Sequence, residues 1–163
     1  MKFQIVITLS DRFSDSNLHD FDRLKISNYS TIVKRFSAER QTGGLIWGGI
    51  VFFISEKIAE GFLTAIGQKG YTWIVNTLFK KKNMLRPKNI ERFTFNIPFN
   101  NGMQFFDFTN ITSEDDFVKA IKSAKLAYDE NIEKLKHDGG YYDFTYDASI
   151  KKWLVTRNKS FDI

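Results

Sequence analysis

The sequence predicts an α+β fold with two layers, in which a mostly antiparallel or mixed sheet of about five strands carries helices on one face. Two patterns indicate this fold. Short segments alternate apolar and polar residues, which is typical of strands with one solvated face. Longer segments repeat apolar residues at spacings of three and four, which is typical of helices that pack one side on a core. No linker or shift in composition divides residues 1–163, so we expect one domain.

The first strand is predicted at residues 2–9, and its apolar face consists of Phe3, Ile5, Ile7 and Leu9. The segment that follows, up to residue 30, is rich in Ser, Asp and Asn and predicts mostly loop. Residues 31–40 fit either a strand through Ile32 or the start of a helix, because a run of this length shows no decisive period.

Two helices are predicted next. Residues 45–54 follow a glycine pair, are apolar nearly all round, and predict a first helix that continues to about Gly61. Residues 62–79 carry apolar stripes at helical spacing and predict a second helix. Gly67 and Gly70 lie within it and indicate a kink or a close helix contact, because glycine weakens a helix by about 1 kcal/mol relative to alanine.

The C-terminal half predicts a helix between two hairpins. Residues 91–99 alternate, Asn101 and Gly102 form a turn, and residues 103–109 return as a strand. Thr112 and Ser113 precede acidic residues and mark a helix start. The apolar stripe of this helix is Phe117, Ile121, Ala124, Tyr128, Ile132 and Leu135, and the helix ends at His137 and Gly139. Residues 142–146 and 150–156 predict the second hairpin, with a turn at 147–149.

The apolar segment also raises the question of a membrane. Its uncharged run, residues 41–55, has 15 residues, which is short of the roughly 20 that span hydrocarbon. We therefore expect a buried helix in which Trp47 and Phe53 are inaccessible, so that Phe53→Ala costs about 3–5 kcal/mol. Gly44 and Gly48 lie four residues apart and permit close approach of a second helix. The candidate interaction residues are Gly44, Trp47, Gly48, Val51 and Phe52.

Charge adds a second candidate surface. The net charge is +5 and the pI is about 9.3, which suits an acidic protein, nucleic acid or an anionic membrane surface without selecting among them. The basic patch is Lys80, Lys81, Lys82, Arg86 and Lys88, which could bind phosphate. The alternative is a solvated helix end, because lysines there complement the helix dipole.

Sequence motifs give no catalytic or metal site. The acidic stretch at residues 11–22 is spaced unlike a calcium loop or a helical histidine pair, although it contains Asp11, Asp15, His19, Asp20 and Asp22. No nucleophile elbow and no glycine-rich phosphate loop follows a strand. Cysteine is absent and the N-terminus lacks a signal-peptide pattern, so we expect a cytoplasmic protein without disulfides or cofactors.

These observations favour a non-catalytic protein-interaction module, adaptor or regulatory, able to self-associate through the glycine-rich apolar helix. The predicted order of strand, glycine-rich apolar helix, basic end, hairpin and helix resembles that of small adaptor-like modules of bacterial conflict systems, without a shared residue motif. Two alternatives stay open. One is a module that binds nucleic acid or anionic phosphate through the basic patch. The other is an enzyme whose site is assembled from residues scattered in sequence.

Overall fold

A computed structural model describes residues 4–10, 30–36, 49–70, 72, 92–108, 111 and 113–158. These residues form a seven-stranded mixed sheet and two α-helices, which confirms the predicted α+β fold with more strands than expected. The strands are β1 (Gln4–Ser10), β2 (Ser30–Phe36), β3 (Gly49–Phe53), β4 (Arg92–Phe99), β5 (Gly102–Asp107), β6 (Gly140–Asp147) and β7 (Lys152–Asn158). The helices are α1 (Glu56–Ala65), which continues into a π-helical turn at Ile66–Gly70, and α2 (Glu114–Asp138).

The order of strands across the sheet is β2, β1, β3, β4, β5, β6, β7. Parallel and antiparallel neighbours alternate: β2 with β1, β3 with β4, and β5 with β6 are parallel, and the other three pairs are antiparallel. Parallel neighbours need a crossover connection. The helix α1 provides it between β3 and β4, and α2 provides it between β5 and β6. Strands β2 and β7 lie at the two edges of the described sheet.

The predicted helix at residues 45–54 is wrong where the structure describes it, because residues 49–53 form strand β3. This strand lies between β1 and β4 in the sheet interior. A strand with neighbours on both sides can be apolar along its whole length, and a short apolar run cannot be distinguished from a buried helix by its period. Phe52 is fully buried, whereas Phe53 points to the opposite face and is 39% exposed, so the predicted inaccessibility of Phe53 is also wrong.

The helix α1 crosses the predicted boundary between the first and second helices without a break, since it runs through Gly61 to Ala65. The two helices run antiparallel, and Glu56 and Glu60 of α1 form ion pairs with Lys136 and Lys125 of α2. The close contact predicted at Gly67 is confirmed, because a Cβ atom there would lie 3.6 Å from the Cα of Lys122. Residues 71 and 73–79 of the predicted second helix lie outside the described residues.

The helix α2 and both hairpins are confirmed. The Oγ of Ser113 accepts a hydrogen bond from the backbone N–H of Asp116, as the predicted helix start requires. The buried side of α2 contains most of the predicted stripe, and the helix ends at Gly139 with a φ of 63°. Gly102, in the first hairpin, faces Gly140 so closely that a Cβ atom would lie 1.8 Å from the Gly140 carbonyl oxygen. No other residue type fits at position 102 without moving β6.

The core lies between the helices and one face of the sheet, here called the inner face, and phenylalanine dominates it. Phe52, Phe95, Phe106 and Phe144 lie side by side across β3 to β6. Phe62 of α1 makes an edge contact with Phe95 at a centroid distance of 5.3 Å. The rings of Phe106 and Phe144 stack at 4.3 Å. Aromatic pairs of this kind add about 0.5–1.5 kcal/mol each to the stability gained from burial.

The alternation in β3 can be tested with a matched pair of substitutions. Phe52→Ala should lower the free energy of unfolding by about 3–5 kcal/mol, because it leaves a cavity beneath α1. Phe53→Ala should lower it by about 1 kcal/mol or less, because that ring is partly exposed. Urea denaturation of the two variants measures both values, and equal losses would contradict the register of β3.

Candidate functional site

The structure describes only two of the five predicted interaction residues, Val51 and Phe52. Val51 is half-buried in β3, and Phe52 contacts the rings of Phe62, Phe93 and Phe95 in the core. Phe52 is therefore not available to a partner in this fold. The following predicted site residues lie outside the described residues: Gly44, Trp47, Gly48, Lys80, Lys81, Lys82, Arg86 and Lys88. The same holds for the acidic stretch at residues 11–22.

Exposed apolar side chains are instead concentrated at the other end of the chain. Five large apolar residues in the described part of the chain are exposed, namely Phe53, Leu126, Ile150, Leu154 and Val155. Three of the five lie within six residues, in the turn before β7 and in β7 itself. This strand pairs with β6 and is an outermost strand of the sheet that the described residues form. An outermost strand presents a row of backbone N–H and C=O groups that its single neighbour does not use.

Trp153 anchors the edge strand to the core. The indole Nε1 of Trp153 donates to the backbone oxygen of Ala120, at 3.2 Å, and to the Oγ of Ser123, at 3.1 Å. Its ring makes edge contacts with Phe106 and Phe108 at centroid distances of 5.3 and 5.1 Å. The strand β7 is thus exposed along one side and anchored to α2 and the sheet along the other.

The turn before β7 is organised by a carboxylate. The Oδ1 atom of Asp147 accepts hydrogen bonds from the backbone N–H and the hydroxyl of Ser149, at 2.9 and 2.5 Å. It also accepts from the backbone N–H of Ile150 at 3.4 Å. These bonds to Ser149 and Ile150 lower the pKa of Asp147 from its usual value of 3.8. Lys151 completes the turn with a φ of 55°, a left-handed conformation that is unusual for lysine.

A cavity of about 390 Å³ lies beside β7, between the C-terminal half of α2 and the strands β6 and β7. It is lined by Asn131, Lys134, Leu135, Asp138, Tyr142, Val155 and Arg157. Two cations and one carboxylate therefore contribute to its walls. The cavity and the exposed edge share Val155 and Arg157, so they form one continuous candidate site.

Arg157 and Asp138 shape the charged wall of this cavity. The Nη2 of Arg157 donates to the backbone oxygen of Asp138 at 3.1 Å, and the guanidinium carbon lies 5.8 Å from the centre of the Tyr142 ring. The Asp138 carboxylate lies 2.9 Å from the Nδ1 of His137. This hydrogen bond, with the positive charges of Arg157 and Lys134, lowers the pKa of Asp138.

The row of inner-face residues that leads to the cavity changes from apolar to polar across the sheet. Ile97 of β4 faces Gln104 of β5, which faces Tyr142 of β6, which faces Arg157 of β7. Gln104 is fully buried, and neither atom of its amide has a hydrogen-bond partner among the residues that the structure describes. Tyr142 is 3% exposed, and within the same residues its hydroxyl also lacks a partner. Each unpartnered buried polar group costs about 1–3 kcal/mol, so this polar row is held at the expense of stability.

No metal-binding cluster appears among the residues that the structure describes, where no three His, Asp or Glu side chains are grouped to hold an ion. Within the same part of the chain, none of the helices combines the length and the apolar character that crossing a bilayer requires. Comparison with protein-family models, with curated proteins and with solved structures finds no match for this chain. The function of this chain must therefore be inferred from the geometry of the edge and the cavity.

The sequence contained a signal for an exposed apolar side chain in this strand. Trp153, Leu154 and Val155 are consecutive apolar residues in a strand predicted to bury one face. Successive side chains of a strand point to opposite faces, so at least one of the three must lie outside the core. The cavity had no comparable signal, because its residues come from α2, β6 and β7 and are separated in sequence.

The unpartnered amide can be tested by an apolar replacement of similar shape. Gln104→Met should raise the free energy of unfolding by about 1–3 kcal/mol, because it removes two buried polar atoms that lack partners. Thermal and urea denaturation measure the change, with Ile97→Met on the neighbouring strand as the control for the volume and flexibility of methionine. A destabilised Gln104→Met variant beside a neutral control would show that the amide is satisfied in the folded protein.

The turn carboxylate predicts a dependence of stability on pH. Because the pKa of Asp147 is lowered on folding, its contribution is present above its unfolded value of 3.8 and is lost as pH falls through the folded pKa. Asp147→Asn should therefore be less stable than the wild type at pH 6, and the difference should shrink at pH 3. Urea midpoints of both proteins at the two pH values measure this, and a difference that is independent of pH would contradict the assignment.

Proposed function

We propose that this chain is a non-catalytic protein-interaction module, of the adaptor or regulatory kind, that binds an extended segment of a partner protein along β7. The supporting observation is the group of exposed apolar side chains, Ile150, Leu154 and Val155, at the outermost strand of the sheet. In strand addition, backbone hydrogen bonds to an exposed edge supply affinity, and alternate side chains of the bound segment supply specificity.

The anchoring of β7 favours this mode of binding. Trp153 holds the strand to α2 through two hydrogen bonds, so the edge is in place before a partner arrives. An edge that is ordered in advance reduces the entropy lost on binding. A bound segment would cover Leu154 on the outer face and Val155 on the inner face, because adjacent side chains of a strand point to opposite sides.

The charge of residues 147–157 indicates which kind of partner segment would fit this edge. Between residues 147 and 157 there are three cations, Lys151, Lys152 and Arg157, and one anion, Asp147, which gives a net charge of +2. An acidic segment complements this edge, whereas a second copy of β7 would bring the same cations to the shared boundary, and like charges that face each other across strands are destabilising. We therefore assign the edge to an acidic extended segment of another protein.

The proposal can be tested by selecting 12-residue peptides from a random phage-displayed library against the immobilised full chain. We expect enriched peptides that alternate apolar and acidic residues and that lose at least tenfold in affinity for the Leu154→Glu variant. The matched control is Leu126→Glu, since Leu126 is an exposed leucine that belongs to α2 and not to β7. Both variants should keep the wild-type melting temperature within a few degrees, since both leucines are exposed.

Four outcomes would overturn the proposal. The first two are a selection without enriched peptides, and peptides that bind the Leu154→Glu variant as tightly as the wild type. The third is dimerisation of the wild type, measured by sedimentation, that the Leu154→Glu variant lacks, because it would assign β7 to a second copy of the chain. The fourth is salt-dependent binding of single-stranded DNA or RNA that is indifferent to Leu154→Glu, because it would favour the nucleic-acid alternative.

A further inference from the structure

We infer that the cavity beside β7 binds the side-chain carboxylate of an aspartate or glutamate carried by the partner segment, and this inference rests on the proposed strand addition. The cavity opens next to the edge, since Val155 and Arg157 of β7 both line it. It therefore offers a second contact to any segment that pairs with β7.

The alternation of side chains along β7 determines where this contact would lie. Trp153, Val155 and Arg157 alternate along the strand and lie on the inner face, on the same side as α2. A residue directly opposite Val155 or Arg157 in an added strand would place its side chain on that face, with its Cβ about 4.5–5.5 Å away. Aspartate and glutamate side chains are long enough to reach from that position to the groups that line the cavity.

The cationic groups of the cavity match a carboxylate. Arg157 uses Nη2 to bind the backbone oxygen of Asp138, and a guanidinium has five N–H donors in all, so donors remain for a bidentate pair with a carboxylate. Lys134 supplies a second positive charge from the helix side. The one carboxylate in the wall, Asp138, already lies within hydrogen-bonding distance of His137. Two cations and one carboxylate in the wall leave a net charge of +1, which favours an anion.

Tyr142 contributes a contact of a different kind. Its ring lines the cavity, and the guanidinium carbon of Arg157 lies 5.8 Å from the ring centre. Its hydroxyl oxygen is inaccessible, so it does not face the cavity. The ring therefore holds the guanidinium at the cavity wall, where its remaining N–H groups can meet a carboxylate.

The first arm of the test uses N-acetyl-glutamate N-methylamide, which has a side-chain carboxylate but cannot extend β7. Titration followed by NMR should give saturable shifts at the Arg157 Nε–H and at the Tyr142 ring, and the glutamine analogue should give none. Arg157→Gln should abolish the shifts at Tyr142, and Tyr142→Leu, which removes the ring beside the guanidinium, should weaken binding at least threefold. The matched control is Lys119→Gln, which removes one positive charge from α2 outside the cavity lining and should bind as the wild type does.

The second arm uses a peptide selected against β7. Replacing its inner-facing glutamate by glutamine should weaken binding to the wild type at least tenfold and leave binding to the Arg157→Gln variant unchanged. If the peptide depends on Leu154 but is indifferent to this replacement, strand addition stands and the cavity inference is overturned. If the small carboxylate binds at Arg157 and no peptide pairs with β7, strand addition is overturned and the carboxylate site stands. If amidation of the peptide C-terminus alone weakens binding, the side-chain source is wrong.

Discussion

The whole arrangement depends on the layer of phenylalanine rings between the sheet and the two helices. Phe95 lies at its centre and contacts Phe52, Phe62, Phe93 and Phe108. Phenylalanine has no polar atom, so these rings specify position through packing alone, by edge contacts that fit one arrangement of the strands. Trp153 extends the layer to β7. The packing that builds the core therefore also fixes the exposed edge, and a rigid edge is what strand addition requires.

The candidate site arises where this layer stops. Two neighbouring rows cross the inner face, and they behave differently as they approach β7. The row that contains Phe95, Phe106 and Phe144 stays apolar and ends at Val155, whereas the row that contains Ile97 becomes polar and ends at Arg157. The strand β7 has no further neighbour in the described sheet, so nothing in the sheet covers the ends of these rows. The cavity and the apolar edge are two consequences of the same missing neighbour.

The sequence predicted those elements whose formation is decided locally. The hairpin at Asn101 and Gly102 and the capped helix that begins after Ser113 have turn and capping chemistry of their own, and both form where expected. The β3 segment has no such local chemistry. Its apolar run fits a buried helix as well as a central strand, and only the neighbours β1 and β4 decide between them. The position of β7 at the edge of the described sheet is likewise a property of topology, so the sequence alone did not indicate this strand as a candidate interaction surface.

Charge at the edge has two physical consequences that belong together. The net charge of +5 does not by itself indicate a kind of partner. The positions of the cations on β7 do, since Lys151 and Lys152 lie where the strand begins and Arg157 lies near its end. Lysine on an exposed edge opposes pairing between identical strands, because two copies would bring like charges together. In the proposed strand addition, the same charges would attract an acidic segment and raise its rate of encounter. The placement of these lysines therefore reconciles an apolar edge with the proposed preference for a different protein over a second copy of the chain.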